Sequence, residues 1–119
     1  MDPDVYSDAL ALLSAQRRET EQRLAGLTGT FTEMVRASES SNADDEHDPE
    51  GATIAFERSQ VGALITQARE HLAELDAAEA RVAAGTYGTC ERCGQPIPPE
   101  RLEARPVART CVGCASRRR

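Results

Sequence analysis

The chain has 119 residues, 39% of them apolar, with two Phe, two Tyr and no Trp. That length allows one domain, or one domain with an appendage, and the many Ala among the apolar residues exclude a large globular core. All 14 basic residues are Arg, against 20 acids, for a net charge of −6. The imbalance is regional: residues 1–89 hold 17 acids and 7 Arg, whereas residues 90–119 hold 3 acids and 7 Arg. So acidic a body disfavours wrapping a phosphate backbone as its main task. No alternating β-branched and aromatic run supports a sandwich or barrel, and no apolar run of about 18 residues supports a membrane span. The acidic start MDPDVYSDAL lacks the basic n-region of a secretory signal, which points to a cytoplasmic protein.

The first periodic segment runs from about Pro3 to Ser38. Its stripe is Leu10, Leu13, Arg17, Thr20, Leu24, Leu27, Phe31 and Met34, with steps alternating three and four, the mark of a heptad seam. Gly26 and Gly29 weaken it by about 1 kcal/mol each relative to Ala. A polar stretch, SESSNADDEHD at about residues 38–48, is rich in side chains that compete with helical hydrogen bonds. The second segment runs from about Pro49 to Ala84, with the stripe Ile54, Arg58, Val61, Ile65, Ala68, Leu72, Leu75, Glu79 and Val82. Asp48 suits its N-cap, Pro49 the first helical position and Glu50 the positive dipole end. Gly85 suits the C′ position after Ala84. The seam arginines, Arg17 and Arg58, are expected to pair with acids such as Glu21, Glu57 or Asp44, or to snorkel outward.

A single stripe on each segment demands a partner, and the short connection makes the two segments antiparallel neighbours. The expected fold is therefore all-α: residues 1–84 form a long antiparallel coiled-coil hairpin with an acidic tip near 41–51. A small C-terminal module occupies 85–119. The competing arrangement is a coiled-coil dimer in which each stripe pairs between chains.

All four cysteines fall in the last 30 residues, as Cys90-x2-Cys93, a gap of 17, then Cys111-x2-Cys114. Two residues between thiolates let the chain turn as a knuckle that aims both sulfurs at one ion, so the pattern predicts one four-thiolate Zn²⁺ site. Two disulfides are the alternative, disfavoured in a reducing cytosol. Gly94 and Gly113 give the two knuckles room to turn. Four protein ligands leave no position for a reacting water, so the zinc is structural. No nucleophile–base pair and no phosphate-binding glycine loop points to an enzyme. Tyr87, Ile97, Leu102 and Val107 are the apolar residues expected around the metal.

Residues 85–114, GTYGTCERCGQPIPPERLEARPVARTCVGC, closely resemble the C4 zinc-finger signature of the DksA/TraR family, G-x-[YF]-G-x-C-x-x-C-G, then I, R-L-x-A-x-P and C-x-x-C. The preceding hairpin resembles the family in pattern more than in identity. The resemblance implies a transcription regulator that binds RNA polymerase directly through its secondary channel, bringing the coiled-coil tip near the active centre. It also implies no sequence-specific DNA binding, and a monomer fits this mode of action. Counted back from Cys90, the family's tip pattern D-x-x-D-x-A falls on His47, Glu50 and Ala52; a shifted register places Asp45 and Asp48 in the acidic slots. Asp45, Asp48, Glu50 and Ala52 are thus the candidate tip residues.

The family's ppGpp site uses basic residues where this chain has Gln67, Glu74 and Ala115. With no cation to hold a polyphosphate, no ppGpp binding is expected at that site. The family's C-terminal helix is expected to be missing as well. Arg101, Arg105, Arg117, Arg118 and Arg119 are the candidate basic contacts to polymerase, the last three as a tail acting by charge; the alternative for Arg101 and Arg105 is local pairing with Glu100 and Glu103. The competing function is a zinc-stabilised coiled-coil adaptor or dimer with no polymerase role.

Overall fold

A computed structural model describes residues 3–40 and 49–117, with side chains over 6–39 and 51–117. Four helices follow in chain order: α1 (Pro3–Ser40), α2 (Pro49–Ala84), α3 (Pro99–Ala104) and α4 (Val112–Ser116). Among the described residues the extended pairing amounts to one isolated bridge, Thr89 to Pro96. The protein is all-α, with two long helices and a C-terminal four-cysteine module. The bounds of α2 are those its proline and glycine punctuation predict, while α1 continues to Ser40. The expected N-cap, Asp48, lies outside the described residues. No described helix is long and apolar enough to cross a membrane.

The chain divides into two compact units, Met1–Arg18 with Leu72–Arg119, and Glu19–His71. In the first, Tyr6 on α1 donates its hydroxyl to the Gly85 carbonyl at 3.0 Å, and Arg17 meets Asp76 and Glu79 on α2. Rising numbers on one helix meet falling numbers on the other, so the two run antiparallel there. Within the second unit the Phe31 side chain lies beside Gly62, bringing α1 and α2 together there.

The core of the first unit joins Ala9, Leu13, Leu75 and Ala78 of the long helices to Tyr87, Cys90, Ile97, Leu102, Val107 and Ala108 of the module. Leu13 and Leu75 are fully buried. Here the seam differs from its predicted course. Leu10 is 43% exposed, and its place is taken by Ala9, with Tyr6 half-buried one step earlier. Hydrophobicity favours Leu10, but the module's larger side chains fill the same cluster and a small residue suits that packing. Ala78 is fully buried beside the seam position Glu79 for the same reason. In the second unit Thr20, Ile65 and Ala68 are buried, and Leu24, Leu27, Phe31, Met34 and Val61 half-buried, as the stripe predicts. Ile54 leaves the pattern, at 42% exposed.

Arg17 sits on the seam yet stays charged, because its Nη2 meets Asp76 and its Nε donates to Glu79 at 3.1 Å. These bonds, Asp76 first, push its pKa above the ordinary arginine value. Pairing is the expected role, but the acids come from α2 rather than from Glu21 on the same helix; Asp44 lies outside the described residues. A charge one-quarter exposed and held by two more exposed acids is worth at most about 1 kcal/mol, the upper end for surface pairs. Arg17→Ala should therefore lower the unfolding midpoint, and 1 M salt should remove much of the difference from wild type, since salt screens partly exposed pairs. A salt-independent loss would assign the effect to the arginine's aliphatic stem instead.

The end of α2 closes as the sequence predicts. Gly85 has φ of +80°, its N–H donates to the Val82 carbonyl at 3.1 Å, and Thr86 N–H reaches the Arg81 carbonyl at 2.9 Å. This pair of bonds is a Schellman cap, and it needs a residue without a Cβ penalty at C′. Gly26 is different: it lies inside α1 with open space around it. Gly85→Ala is thus expected to destabilise, and Gly26→Ala to stabilise, each by about 1 kcal/mol. Denaturant midpoints moving in the same direction would contradict this.

Candidate metal centre

The module begins where the α2 cap releases the chain. Tyr87 is buried, and its hydroxyl donates to the Pro106 carbonyl at 2.9 Å; burial raises its pKa. Arg81 adds a second tie, from Nη2 to the Val107 carbonyl at 3.3 Å. Burial, with the nearby charge of Arg109, lowers its pKa.

The first knuckle then forms. Cys90 N–H donates to the Gln95 carbonyl at 2.8 Å, and Gly94 N–H to the Cys90 carbonyl at 3.0 Å, with Gly94 at φ of +75°. That turn doubles the chain back so that Cys90 and Cys93 face the same point. Gly113 does not play the matching part expected of it. It lies inside α4, with no left-handed backbone, and the second pair is presented by helix geometry instead. Cys111 precedes the helix and Cys114 lies within it.

The four sulfurs lie within 4.8 Å of one another, and Cys93 Sγ is 3.9 Å from Cys111 Sγ. A tetrahedral Zn²⁺ with Zn–S bonds of about 2.3 Å needs sulfurs about 3.8 Å apart. No cysteine is in a disulfide. The backbone N–H of Cys93, then those of Cys111 and Arg92, pull the Cys90 thiol down to about 6. The Cys114 backbone likewise lowers Cys111. Cys114 is pushed up to about 12, first by sharing a proton with Cys111 and then by burial. Four thiolates so close cannot all be charged without a cation among them; a divalent ion removes the conflict and takes all four as ligands. Donor set, spacing and backbone support all fit one zinc, held by Cys90, Cys93, Cys111 and Cys114 as the sequence predicts. With four protein sulfurs the site is closed and its role structural.

Three of the module's arginines, Arg92, Arg101 and Arg109, are tied within it, and a fourth, Arg105, faces α2. Arg101 Nε donates to the Thr110 carbonyl at 2.8 Å, and Arg109 pairs with Glu91 at 3.0 Å. Arg92 Nη1 donates to the carbonyls of Cys114 and Arg117 at 3.2 and 2.7 Å. Arg105 is exposed and 3.8 Å from Glu74. Hydrophobic periodicity carries no signal for these ties, because each guanidinium serves a carbonyl or a carboxylate distant in sequence. Of the candidate tip residues, Ala52 is exposed on α2, Glu50 is placed in α2 by its backbone alone, and Asp45 and Asp48 lie outside the described residues. Arg117 is exposed after α4, while Arg118 and Arg119 lie outside.

Residues 85–119 match the prokaryotic dksA/traR C4-type zinc finger family. The chain is 39% identical over 100 residues to general stress protein 16O of Bacillus subtilis, covering 84% of this chain and 55% of that protein. It thus spans about half the length of that relative. It is 45% identical over 49 residues to the RNA polymerase-binding transcription factor DksA of Caulobacter vibrioides, covering 41% of this chain and 34% of that protein. The solved structure of transcription factor DksA2 from Pseudomonas aeruginosa superposes with a TM-score of 0.84 at 29% identity, over 98% of this chain and 84% of that one.

Proposed function

Since the chain belongs to the DksA/TraR family of C4-type zinc-finger proteins, we propose that it is a transcription regulator that binds RNA polymerase directly. Its coiled-coil tip reaches the active centre through the secondary channel. The observation that carries this reading is the likeness to a transcription factor over 98% of the chain, long helices and zinc module together. A match confined to the zinc finger would fit many adaptors; a match that includes both helices supports a shared mode of action.

The chemistry assigns two tasks. The zinc module, rigid and closed, fixes how the helices leave it and so orients the hairpin against polymerase. Asp45, Asp48 and Glu50 bring carboxylates to the tip, where negative charge acts on basic groups or on the metal environment of the catalytic centre. Neither task requires the chain to catalyse a reaction. With Gln67, Glu74 and Ala115 at the positions where the family resemblance implies basic residues, the regulator works without ppGpp at that site.

The combined variant Asp45→Asn, Asp48→Asn, Glu50→Gln tests this division of labour. Affinity for core polymerase should stay within about twofold of wild type while the effect on promoter-complex lifetime disappears. Equal loss of both would contradict it. The dimer form of the competing reading predicts twice the mass of one chain. Light scattering should give 12.9 kDa, the mass of one chain; twice that value would favour the dimer.

A further inference from the structure

α4 presents a packing problem. It has five residues and none of them is buried, and Val112 is 57% exposed. Only Cys111 and Cys114 touch the apolar cluster of the module. A helix this short does not persist on its own hydrogen bonds, so its position depends on the metal and on polar ties. Arg92 supplies such a tie at the C-terminal end, where helix carbonyls are short of partners and the Cys114 carbonyl otherwise accepts the Arg117 N–H at 3.2 Å. One guanidinium nitrogen reaches both the Cys114 and Arg117 carbonyls, at 3.2 and 2.7 Å. The donor is charged and meets the negative end of the helix, so the bonds are of the stronger class.

The position of Arg92 in the sequence gives this contact its meaning. It lies between Cys90 and Cys93. Its backbone is therefore part of the first knuckle while its side chain grips the helix that carries the last ligand. We propose that Arg92 is a positioning residue of the metal centre. It couples the two cysteine pairs, holds Cys114 at its ligating position and slows loss of zinc. The inference rests on the module alone and is independent of the polymerase reading. The bland alternative is an exposed arginine whose bonds to carbonyls are screened and of no consequence. The absence of any buried residue in α4 argues against it, because little else fixes the C-terminal end of that helix.

The test uses the zinc-loaded full chain and follows transfer of zinc to a chromophoric chelator. Arg92→Ala should weaken zinc affinity, and hasten release, by roughly tenfold or more, the range expected when a partner supporting a ligand is removed. Arg105→Ala is the control: it deletes the same charge from the module but touches neither cysteine pair. It should release zinc at the wild-type rate. Arg92→Lys keeps the charge and should recover part of the loss. In the Co²⁺-substituted protein, Arg92→Ala should shift the ligand-field bands while Arg105→Ala leaves them in place. Equal release from Arg92→Ala and Arg105→Ala would overturn the proposal. Release from Arg92→Lys as fast as from Arg92→Ala would overturn the carbonyl-capping role, including in the case where Arg92→Ala binds no zinc at all.

Discussion

Stripping zinc with a strong chelator should unfold residues 85–114 and open the core they share with the long helices. The module has seven buried apolar side chains, Tyr87, Cys90, Ile97, Leu102, Pro106, Val107 and Ala108, too few to hold some 30 residues against their conformational entropy. In small zinc modules the free energy of metal binding is folding free energy, about 10–16 kcal/mol in apparent terms at neutral pH. Losing it exceeds anything the arginine ties return. Trypsin reads the outcome directly, because Arg92, Arg101 and Arg109 lie within the module. The zinc-loaded protein should resist cleavage there and the stripped protein should be cut at all three. Ellipticity should fall only modestly, since α3 and α4 have six and five residues. A trypsin map unchanged after zinc is shown to be gone would contradict the structural role of the metal.

The second large effect is expected at Leu13. Its side chain is fully buried against the cluster that includes Leu75, Ala78 and Tyr87. Truncation to Ala removes the transfer free energy of the lost atoms and leaves a cavity, for a cost of about 2–5 kcal/mol. At about 4–8 °C per kcal/mol for a unit of this size, the unfolding midpoint should drop by roughly 10 °C or more. Leu10→Ala, three residues earlier on the same helix, is the informative comparison. Periodicity alone places Leu10 on the seam and predicts a similar loss. The structure leaves it 43% exposed and predicts a change of about 0.5 kcal/mol or less. Losses of equal size at the two positions would contradict the observed course of the seam.

These comparisons show what could be read from the sequence. The zinc ligands were legible because a C-x2-C pair is a local object: its geometry is decided within a few residues, and two pairs close one tetrahedron. The bounds of α2 were legible for the same reason, since Pro49 and Gly85 act on their own backbone. The course of the seam near the module was not. Ala9 displaces Leu10 because of side chains some 80 residues away, and a stripe read along one helix carries nothing about what fills the space beside it. The partners of Arg17 follow the same rule. Near neighbours such as Glu21 suit a helix in isolation, but the register of two antiparallel helices brings Asp76 and Glu79 to it. Arg92 is the sharpest case. Nothing in C-E-R-C marks its third residue, yet its side chain spans the metal centre to the far end of α4.

Entry of the hairpin tip into RNA polymerase, as proposed, is most directly read at Ala52. This residue lies on α2, exposed, three residues after the first residue of that helix. A photo-crosslinking residue there adds little to the core and changes no charge. With zinc-loaded protein and purified core polymerase, crosslinks should map to elements surrounding the polymerase active centre. The absence of any crosslink from protein shown to be folded and zinc-loaded would contradict entry through the secondary channel.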